Sequence, residues 1–334
     1  MSDLKVAVLG GGSWGTAVAS LATRNSAVSL WARNPDTVEE INAEHRNHTY
    51  LPGVMLPEKL VATHSIKDAV SLADVVVMGI PSQHFREVLN DVKAHVRQGV
   101  PVISLSKGLE LDTHLRMSEI IKEVLPGHPA GVLTGPNLAR EIMEGKAAAS
   151  VLAMEDSVIV QQLQPVFNSG LFRTYTNTDV IGCELGGVLK NIVAIAVGIG
   201  DGLGAGDNTR AGLITRGLAE ITRLGVAMGG QPETFAGLAG MDEMNDTCTS
   251  PQSRNHHVGI ELGKGRDMQD ITNEMFMVAE GVKSAPAVLA LAAQYKVEIP
   301  MVEDVYRVLS GESSASRAFR SLLRVEAGAE SEPG

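Results

Sequence analysis

The stretch that most constrains the fold is Leu4–Gly15, LKVAVLGGGSWG. Val6 to Gly10 reads as a short buried strand. Gly10-Gly11-Gly12-Ser13-Trp14-Gly15 fits G-x-G-x-x-G, and Thr16 to Thr23 reads as a helix. A strand feeding a glycine turn that opens a helix is the fingerprint of dinucleotide binding. Gly10 permits the tight turn. Gly12, without a Cβ, lets a pyrophosphate approach the backbone, and Gly15 lets the helix lie close on its strand. The free N–H groups and positive dipole end of that helix then face the phosphates.

A chain of 334 residues with 44% hydrophobic and 20% charged residues is long enough for two folded domains. No apolar run approaches ~18 uninterrupted residues, so no membrane span and no integral membrane contact are expected. Met1–Lys5 has no basic leader, so no secretory signal is expected either. Cys183 and Cys248 stand far apart and match no metal or disulfide spacing, which fits a reducing cytoplasm. A net charge of -11 argues against nucleic acid as a partner. An anionic small-molecule substrate would need a local cationic cluster.

Taken in order, Ala27–Ala32 is a second strand. A site that prefers NAD usually places an acid at its end; here stands Arg33, which suits a 2′-phosphate, so NADPH is favoured over NADH. Asn34-Pro35 is a cap followed by a first-turn proline, opening a helix to about Glu44. Tyr50–Gly53 is a loop, and Ser65 caps a short helix. Val75–Ile80, Val100–Ser106, Gly131–Thr134, Ala147–Met154 and Phe172–Thr176 are further strands. Between them run helices at Ser82 onward, Leu115–Leu125, Ala139–Glu144 (capped by Asn137) and Asp156–Asn168. The alternation implies a doubly wound, parallel-rich sheet over residues 1–179. Ligands bind beyond the carboxyl ends of such strands, so Gly10–Gly15, Arg33, Pro81-Ser82, Lys107 and Gly135–Asn137 should line one crevice.

Helical periodicity takes over from Val180, giving an all-helical domain over 180–325 and a frayed tail over 326–334. Glu184–Gly200, ELGGVLKNIVAIAVGIG, is apolar almost all round and reads as a buried helix. Its glycines make sense where backbone or ligand approaches closely. In its middle stands Lys190, whose burial would suit proton transfer near neutral pH. Ser253-Arg254-Asn255 lies at an apparent helix start, where N–H groups and a guanidinium suit a phosphate. His256 and His257 are adjacent and cannot share one metal at helical spacing, and no metal site is expected.

The motifs together resemble the bacterial NAD(P)-dependent glycerol-3-phosphate dehydrogenases. They are GGGSWGTA at 10–17, SLSKGLE at 104–110, GPNLARE at 135–141, ELGGVLKNIVAIAVGI at 184–199, NTRAGLITRGLAE at 208–220, TCTSPQSRN at 247–255 and VAEGV at 278–282. The resemblance runs from Val6 to about Leu323. It implies a Rossmann-type domain followed by a helical one, a dimer, and reduction of dihydroxyacetone phosphate to glycerol 3-phosphate with NADP or NAD. Its product would feed phospholipid synthesis. By position, Lys190 matches the proton-transferring lysine. Lys107, Gly135, Asn137, Glu243, Ser253, Arg254 and Asn255 match substrate positions, although a hydroxyl residue is common where Asn137 stands. Ser13, Trp14, Arg33, Lys107, Ala139, Arg254, Val278 and Glu280 match cofactor contacts.

One stretch departs from the pattern. The family has Gly-Asp a few residues before Thr-Cys; this chain has Asp242-Glu243 before Thr247-Cys248. If register is kept, Glu243 faces Lys190 and Asp242 points to water. If the backbone slips by one residue, Asp242 supplies the carboxylate. The unbroken Thr-Cys-Thr-Ser anchor favours the first. Two other functions compete with the resemblance: a ketopantoate-type or hydroxyacid reductase, and a non-catalytic NADP(H)-binding sensor. A carboxylate substrate would not need the Ser253–Asn255 segment, and a sensor would not need Lys190.

Overall fold

The structure is a computed structural model, and it describes residues 4–275 and 279–322. Val278 and the tail therefore lie outside the described residues. The chain divides into two compact units, one of residues 1–107 and 115–180, the other of 108–114 and 181–334.

The first unit is built on an eight-stranded sheet in the order β3-β2-β1-β4-β5-β6-β7-β8. The strands are β1 (Lys5–Leu9), β2 (Ala27–Trp31), β3 (Val61–Thr63), β4 (Val75–Met78), β5 (Val102–Ser104), β6 (Ala130–Thr134), β7 (Ala148–Met154) and β8 (Phe172–Asn177). Strands β1 to β6 are mutually parallel, while β7 runs antiparallel to β6. Side-chain alternation makes two cores. Val6, Val8, Val75 and Val77 face one, together with Val18 and Ala22 of α1 (Ser13–Ala22). Ala7, Leu9, Val76 and Met78 face the other, together with Phe85, Leu89 and Val92 of α4 (Phe85–Lys93).

Between these lie α2 (Pro35–Glu44) and α3 (Ile66–Val70); α5 (Met117–Val124), α6 (Ala139–Met143) and α7 (Ser157–Phe167) follow. The caps read from the sequence at Asn34 and Ser65 are made: Asn34 accepts from the Asp36 N–H with Pro35 in the first turn, and Ser65 from the Asp68 N–H. Asp156, placed by the sequence inside its helix, is instead the cap of α7 and accepts from the Val158 and Ile159 N–H groups. Asn137 does not cap α6, contrary to expectation. Leu138 takes the cap position without a side-chain bond, and Asn137 Oδ1 instead accepts from Ser150 Oγ of β7 at 2.8 Å. With its carbonyl oxygen taken by the β7 hydroxyl, the side chain does not serve the helix start. Ser82 opens a 3-10 turn, Ser82–His84, before α4 begins.

The second unit is helical: α8 (Val180–Gly202), α9 (Asp207–Ala227), α10 (Pro232–Phe235), α11 (Glu243–Thr249), α12 (Arg254–Gly263), α13 (Met268–Glu274), α14 (Glu280–Tyr295), α15 (Pro300–Leu309) and α16 (Ala315–Leu322). A π-turn, Leu238–Asp242, leads into α11. Helix α8 is long and apolar enough to cross a membrane on length and composition alone, although Lys190 interrupts its apolar run. However, 94% of its most apolar window is buried, and Leu189, Ile192, Val193 and Val197 centre the core of this unit. Its glycines let backbones touch. A Cβ at Gly198 would sit 2.2 Å from His256 O, and one at Gly259 2.2 Å from Ile195 O; Gly202 and Gly263 meet in the same way one turn on. Helix α12 thus lies directly on α8, which carries Arg254 and Asn255 to the neighbourhood of Asn191.

Candidate active site

In the first unit, the parallel strands present their carboxyl ends along one edge. After β1 comes the glycine turn. Gly10 has φ +124°, and a Cβ there would lie 2.2 Å from Gly79 O; a Cβ at Gly15 would lie 2.0 Å from Gly10 O. Both positions therefore demand glycine. Gly12 is different: a Cβ there would meet nothing within 4 Å. Its open face lies over the start of α1, which carries no side-chain cap, so the first N–H groups of the helix are available to an anion. The space and the uncapped donors fit a pyrophosphate. Ser13 Oγ donates to Tyr50 O at 2.7 Å. Trp14 packs on Phe172 with ring centroids 6.2 Å apart, and its buried Nε1–H meets no partner among the described residues.

Arg33, just past β2, is exposed and makes no ion pair or hydrogen bond among the described residues. Past β5, Lys107 Nζ donates to Gly135 O at 3.0 Å, which joins the turns after β5 and β6. Asn137 in the second of these turns has a buried Nδ2 without a partner among the described residues. Ala139, the first residue of α6, packs at the margin of one sheet core. The edge thus combines an anion cradle, two cations and an orphaned amide donor.

In the second unit, Lys190 is only 6% exposed, and two partners meet it at close range. Its Nζ lies 2.8 Å from Glu243 Oε1 and donates to Thr247 Oγ1 at 2.7 Å. Glu243 is 0% exposed, whereas Asp242 faces solvent. Thr247 Oγ1 in turn donates to Glu243 O at 2.8 Å. With its hydrogen so engaged, the hydroxyl can only accept from the lysine. The negative charge of Glu243 holds Lys190 as an ammonium against the desolvation that would otherwise discharge it. The π-turn sets up this arrangement. It packs on α8 so tightly that a Cβ at Gly186 would lie 2.1 Å from Ala239 O, and α11 starts at Glu243 one turn of α8 further on. Glu243, and not the exposed Asp242, therefore faces the lysine. Cys248 beside Thr247 is fully buried, and desolvation pushes its thiol up to about 12 despite the nearby Lys190 charge, so it stays protonated.

Ser253 caps α12 by accepting from the His256 N–H at 3.2 Å. Arg254 follows. Solvent reaches it, although crowding by protein atoms lowers its pKa; Glu280 on α14 opposes that shift. A guanidinium stays charged under any such shift. Asn255 is buried and largely committed. Its Nδ2 donates to Asn191 Oδ1 at 2.9 Å and its Oδ1 accepts from the Gly281 N–H at 3.0 Å, locking α8, α12 and α14 together. Next to it, His256 Nε2 lies 2.8 Å from Asp201 Oδ2, and Arg210 pairs with the same carboxylate at 3.0 Å. Sequence reasoning did not single out Thr247, Asn191 or Asp201 as partners, because contacts between helices leave no spacing signal. The unit can offer a buried proton donor and, on α12, a cation beside a capped helix start.

The models of the NAD-dependent glycerol-3-phosphate dehydrogenase N-terminus and C-terminus match residues 5–160 and 179–320. A glycerol-3-phosphate dehydrogenase [NAD(P)+] 2 of Sphingopyxis alaskensis is 63% identical over 331 residues, covering 99% of each chain. One from Mycobacterium tuberculosis is 51% identical over 320 residues, covering 96% of this chain and 94% of that one. The crystal structure of glycerol-3-phosphate dehydrogenase from Coxiella burnetii superposes with a TM-score of 0.92 at 37% identity, covering 96% and 99%. A ketopantoate reductase of Ralstonia eutropha, at 14% identity and a TM-score of 0.60, shares the fold alone; the overlap covers 94% of this chain and 99% of that one.

Proposed function

The chain belongs to the NAD-dependent glycerol-3-phosphate dehydrogenase family, and on that premise we propose how its own residues divide the work. The protein is an oxidoreductase that reduces dihydroxyacetone phosphate to sn-glycerol 3-phosphate with NAD(P)H, and the reaction is reversible. When bound, the nicotinamide supplies the hydride. Gly10, Gly12, Ser13, Trp14 and Gly15 hold the pyrophosphate side of the cofactor. Arg33 takes a 2′-phosphate, so NADPH is preferred. Lys107, Ala139, Arg254, Val278 and Glu280 complete the cofactor contacts.

Lys190 performs the proton transfer. As C2 of the substrate is reduced, negative charge gathers on its oxygen, and an ammonium fixed nearby stabilises that charge and then gives up a proton to it. In oxidation the neutral lysine takes the proton back. Glu243 and Thr247 hold the ammonium in place and keep it charged while it waits. Arg254, the N–H groups at the Ser253-capped start of α12, and Lys107 neutralise the substrate phosphate in a protein whose net charge is -11. Gly135 and Asn137 orient the substrate from the strand edge, and Asn255 holds α12 in register.

The observation that carries this reading is the buried Lys190–Glu243 pair at 2.8 Å. A nucleotide sensor would have no use for a buried lysine held by a carboxylate and a hydroxyl. We further propose that the protein works as a cytoplasmic homodimer without integral membrane contact or nucleic-acid partners, and that its product supplies glycerophospholipid synthesis. Sedimentation of the purified protein checks the dimer. For the chemistry, Lys190→Ala should leave cofactor affinity nearly intact while kcat falls by ~10²–10⁴; a variant that keeps most of its turnover would remove Lys190 from the role.

A further inference from the structure

The connection after α2 holds a side chain that touches the glycine turn from beneath. Asn47 is 0% exposed. Its Nδ2 donates to Gly11 O at 2.9 Å and to Thr16 Oγ1 at 3.0 Å, while its Oδ1 accepts from the Tyr50 N–H at 3.2 Å. Three of the four hydrogen-bonding sites of the amide are thus used, two of them on the cofactor loop and the first helix. Ser13 Oγ is tied to Tyr50 O from the other direction. The segment 47–50 and the turn 11–16 form one cross-braced unit.

The bond to Gly11 has a consequence for the neighbouring donor. The carbonyl of Gly11 and the N–H of Gly12 belong to one peptide plane, and in a trans peptide they point in opposite directions. There are no cis peptides among the described residues. Drawing the Gly11 carbonyl inward onto Asn47 therefore turns the Gly12 N–H outward. Gly12 itself has open space beside it, since a Cβ there would meet nothing within 4 Å. A peptide flanked by two glycines has little steric preference of its own and can flip; the amide of Asn47 removes that freedom.

We propose that Asn47 is a positioning residue for cofactor binding: by holding the Gly11 carbonyl it presets the Gly12 N–H toward the pyrophosphate. It touches neither substrate nor reacting atoms. The assignment rests on the reading of Gly10–Gly15 as the pyrophosphate loop, and it adds a residue from outside the glycine fingerprint. Preorganisation of this kind lowers the ordering cost that binding must otherwise meet.

Calorimetric titration of the purified protein with two probes tests it. NADPH carries a pyrophosphate; adenosine 2′-monophosphate carries the adenosine and the 2′-phosphate but no pyrophosphate. Asn47→Ala should raise the Kd for NADPH roughly tenfold or more, the scale of a hydrogen bond to a charged group, and leave that for adenosine 2′-monophosphate within about twofold. Asn47→Asp, which keeps the acceptor for Tyr50 but loses both donors, should behave like the alanine variant. Thr16→Val removes only one anchor of the amide and should give a smaller loss of the same kind; it serves if Asn47→Ala does not fold. An unchanged Kd for NADPH, or equal weakening of both probes, would overturn the proposal. Gly12→Ala is the reference for the loop itself, since its methyl enters open space. If Gly12→Ala leaves NADPH binding intact, the pyrophosphate reading fails. If Gly12→Ala weakens NADPH and the Asn47 and Thr16 variants do not, the loop reading stands and the role of Asn47 falls.

Discussion

Glu243→Gln removes one negative charge at almost constant volume, at a position with no solvent contact. Two unit charges 2.8 Å apart attract by about 6 kcal/mol at an effective dielectric of roughly 20. Much of that offsets the desolvation of both groups, and deleting one partner of a buried pair costs about 3–5 kcal/mol. Glutamine returns about 1.5–3 kcal/mol as a hydrogen bond to the charged ammonium. About 2 kcal/mol then falls on the charged form of Lys190, which moves its pKa downward. In the direction of ketone reduction the lysine must arrive protonated. The variant should therefore lose at least about tenfold in kcat near neutral pH, and the limb of its pH–rate profile that reports the lysine should shift to lower pH. The assay is NADPH oxidation with dihydroxyacetone phosphate across pH, with Asp242→Asn and Asp246→Asn alongside. Asp242 is exposed and Asp246 only partly buried, and both substitutions should change little. A damaging Asp242→Asn would refute the register seen around α11. An unchanged profile for Glu243→Gln would show that Lys190 is tuned by burial and Thr247 alone.

Arg33→Asp should weaken NADPH more than NADH by about 1.5–3 kcal/mol; titration with both cofactors checks it, and equal losses would show that Arg33 does not meet the 2′-phosphate. Glu220, buried in α9, accepts from the Met301 and Val302 N–H groups at the start of α15, and burial raises its pKa from 4.5 to about 7. Between those values the folded protein holds a proton that the unfolded chain releases. Its contribution to stability is therefore present below the lower value and is lost as pH rises through about 7, by roughly 3 kcal/mol at most. Urea unfolding across this range should show that loss in the native protein and not in Glu220→Gln; matching slopes would contradict it. Gly259→Ala would force a Cβ to 2.2 Å from Ile195 O. It should destabilise the protein by about 1–3 kcal/mol and, by shifting α12 with Arg254, raise KM for dihydroxyacetone phosphate; an unchanged KM would separate the helix crossing from the phosphate side.

Local signals in the sequence are legible where one residue decides one feature. Asn34-Pro35, Ser65 and Ser253 each sit at the helix start they imply, because a cap is chemistry within three residues. The continuous apolar run at Val75–Ile80 marks β4 as a buried strand. The antiparallel direction of β7 was not legible, since a buried strand carries no sign of its direction. Strand β3 is three residues on the sheet edge, and α13 is short and polar, so neither has a period to detect. A proline favours the first turn of a helix, yet Pro286 lies inside α14, which starts at Glu280, where Gly281 approaches Asn191 and Asn255 closely. In the site, Lys190 and its acid followed from residue types and register. The supports from Thr247, Asn191 and Asn47 did not, because each bond closes a loop of dozens of residues or of one helical turn that only the fold brings into place.

The most direct measurement follows NADPH absorbance in the presence of dihydroxyacetone phosphate for the purified protein and for Lys190→Ala, with NADPH affinity determined for both. The expected result is steady oxidation by the native protein, near-equal cofactor affinity in the two, and turnover by the variant lower by ~10²–10⁴. Constant absorbance with the native protein, or a variant that turns over at the native rate, would contradict the assignment of reaction and proton donor.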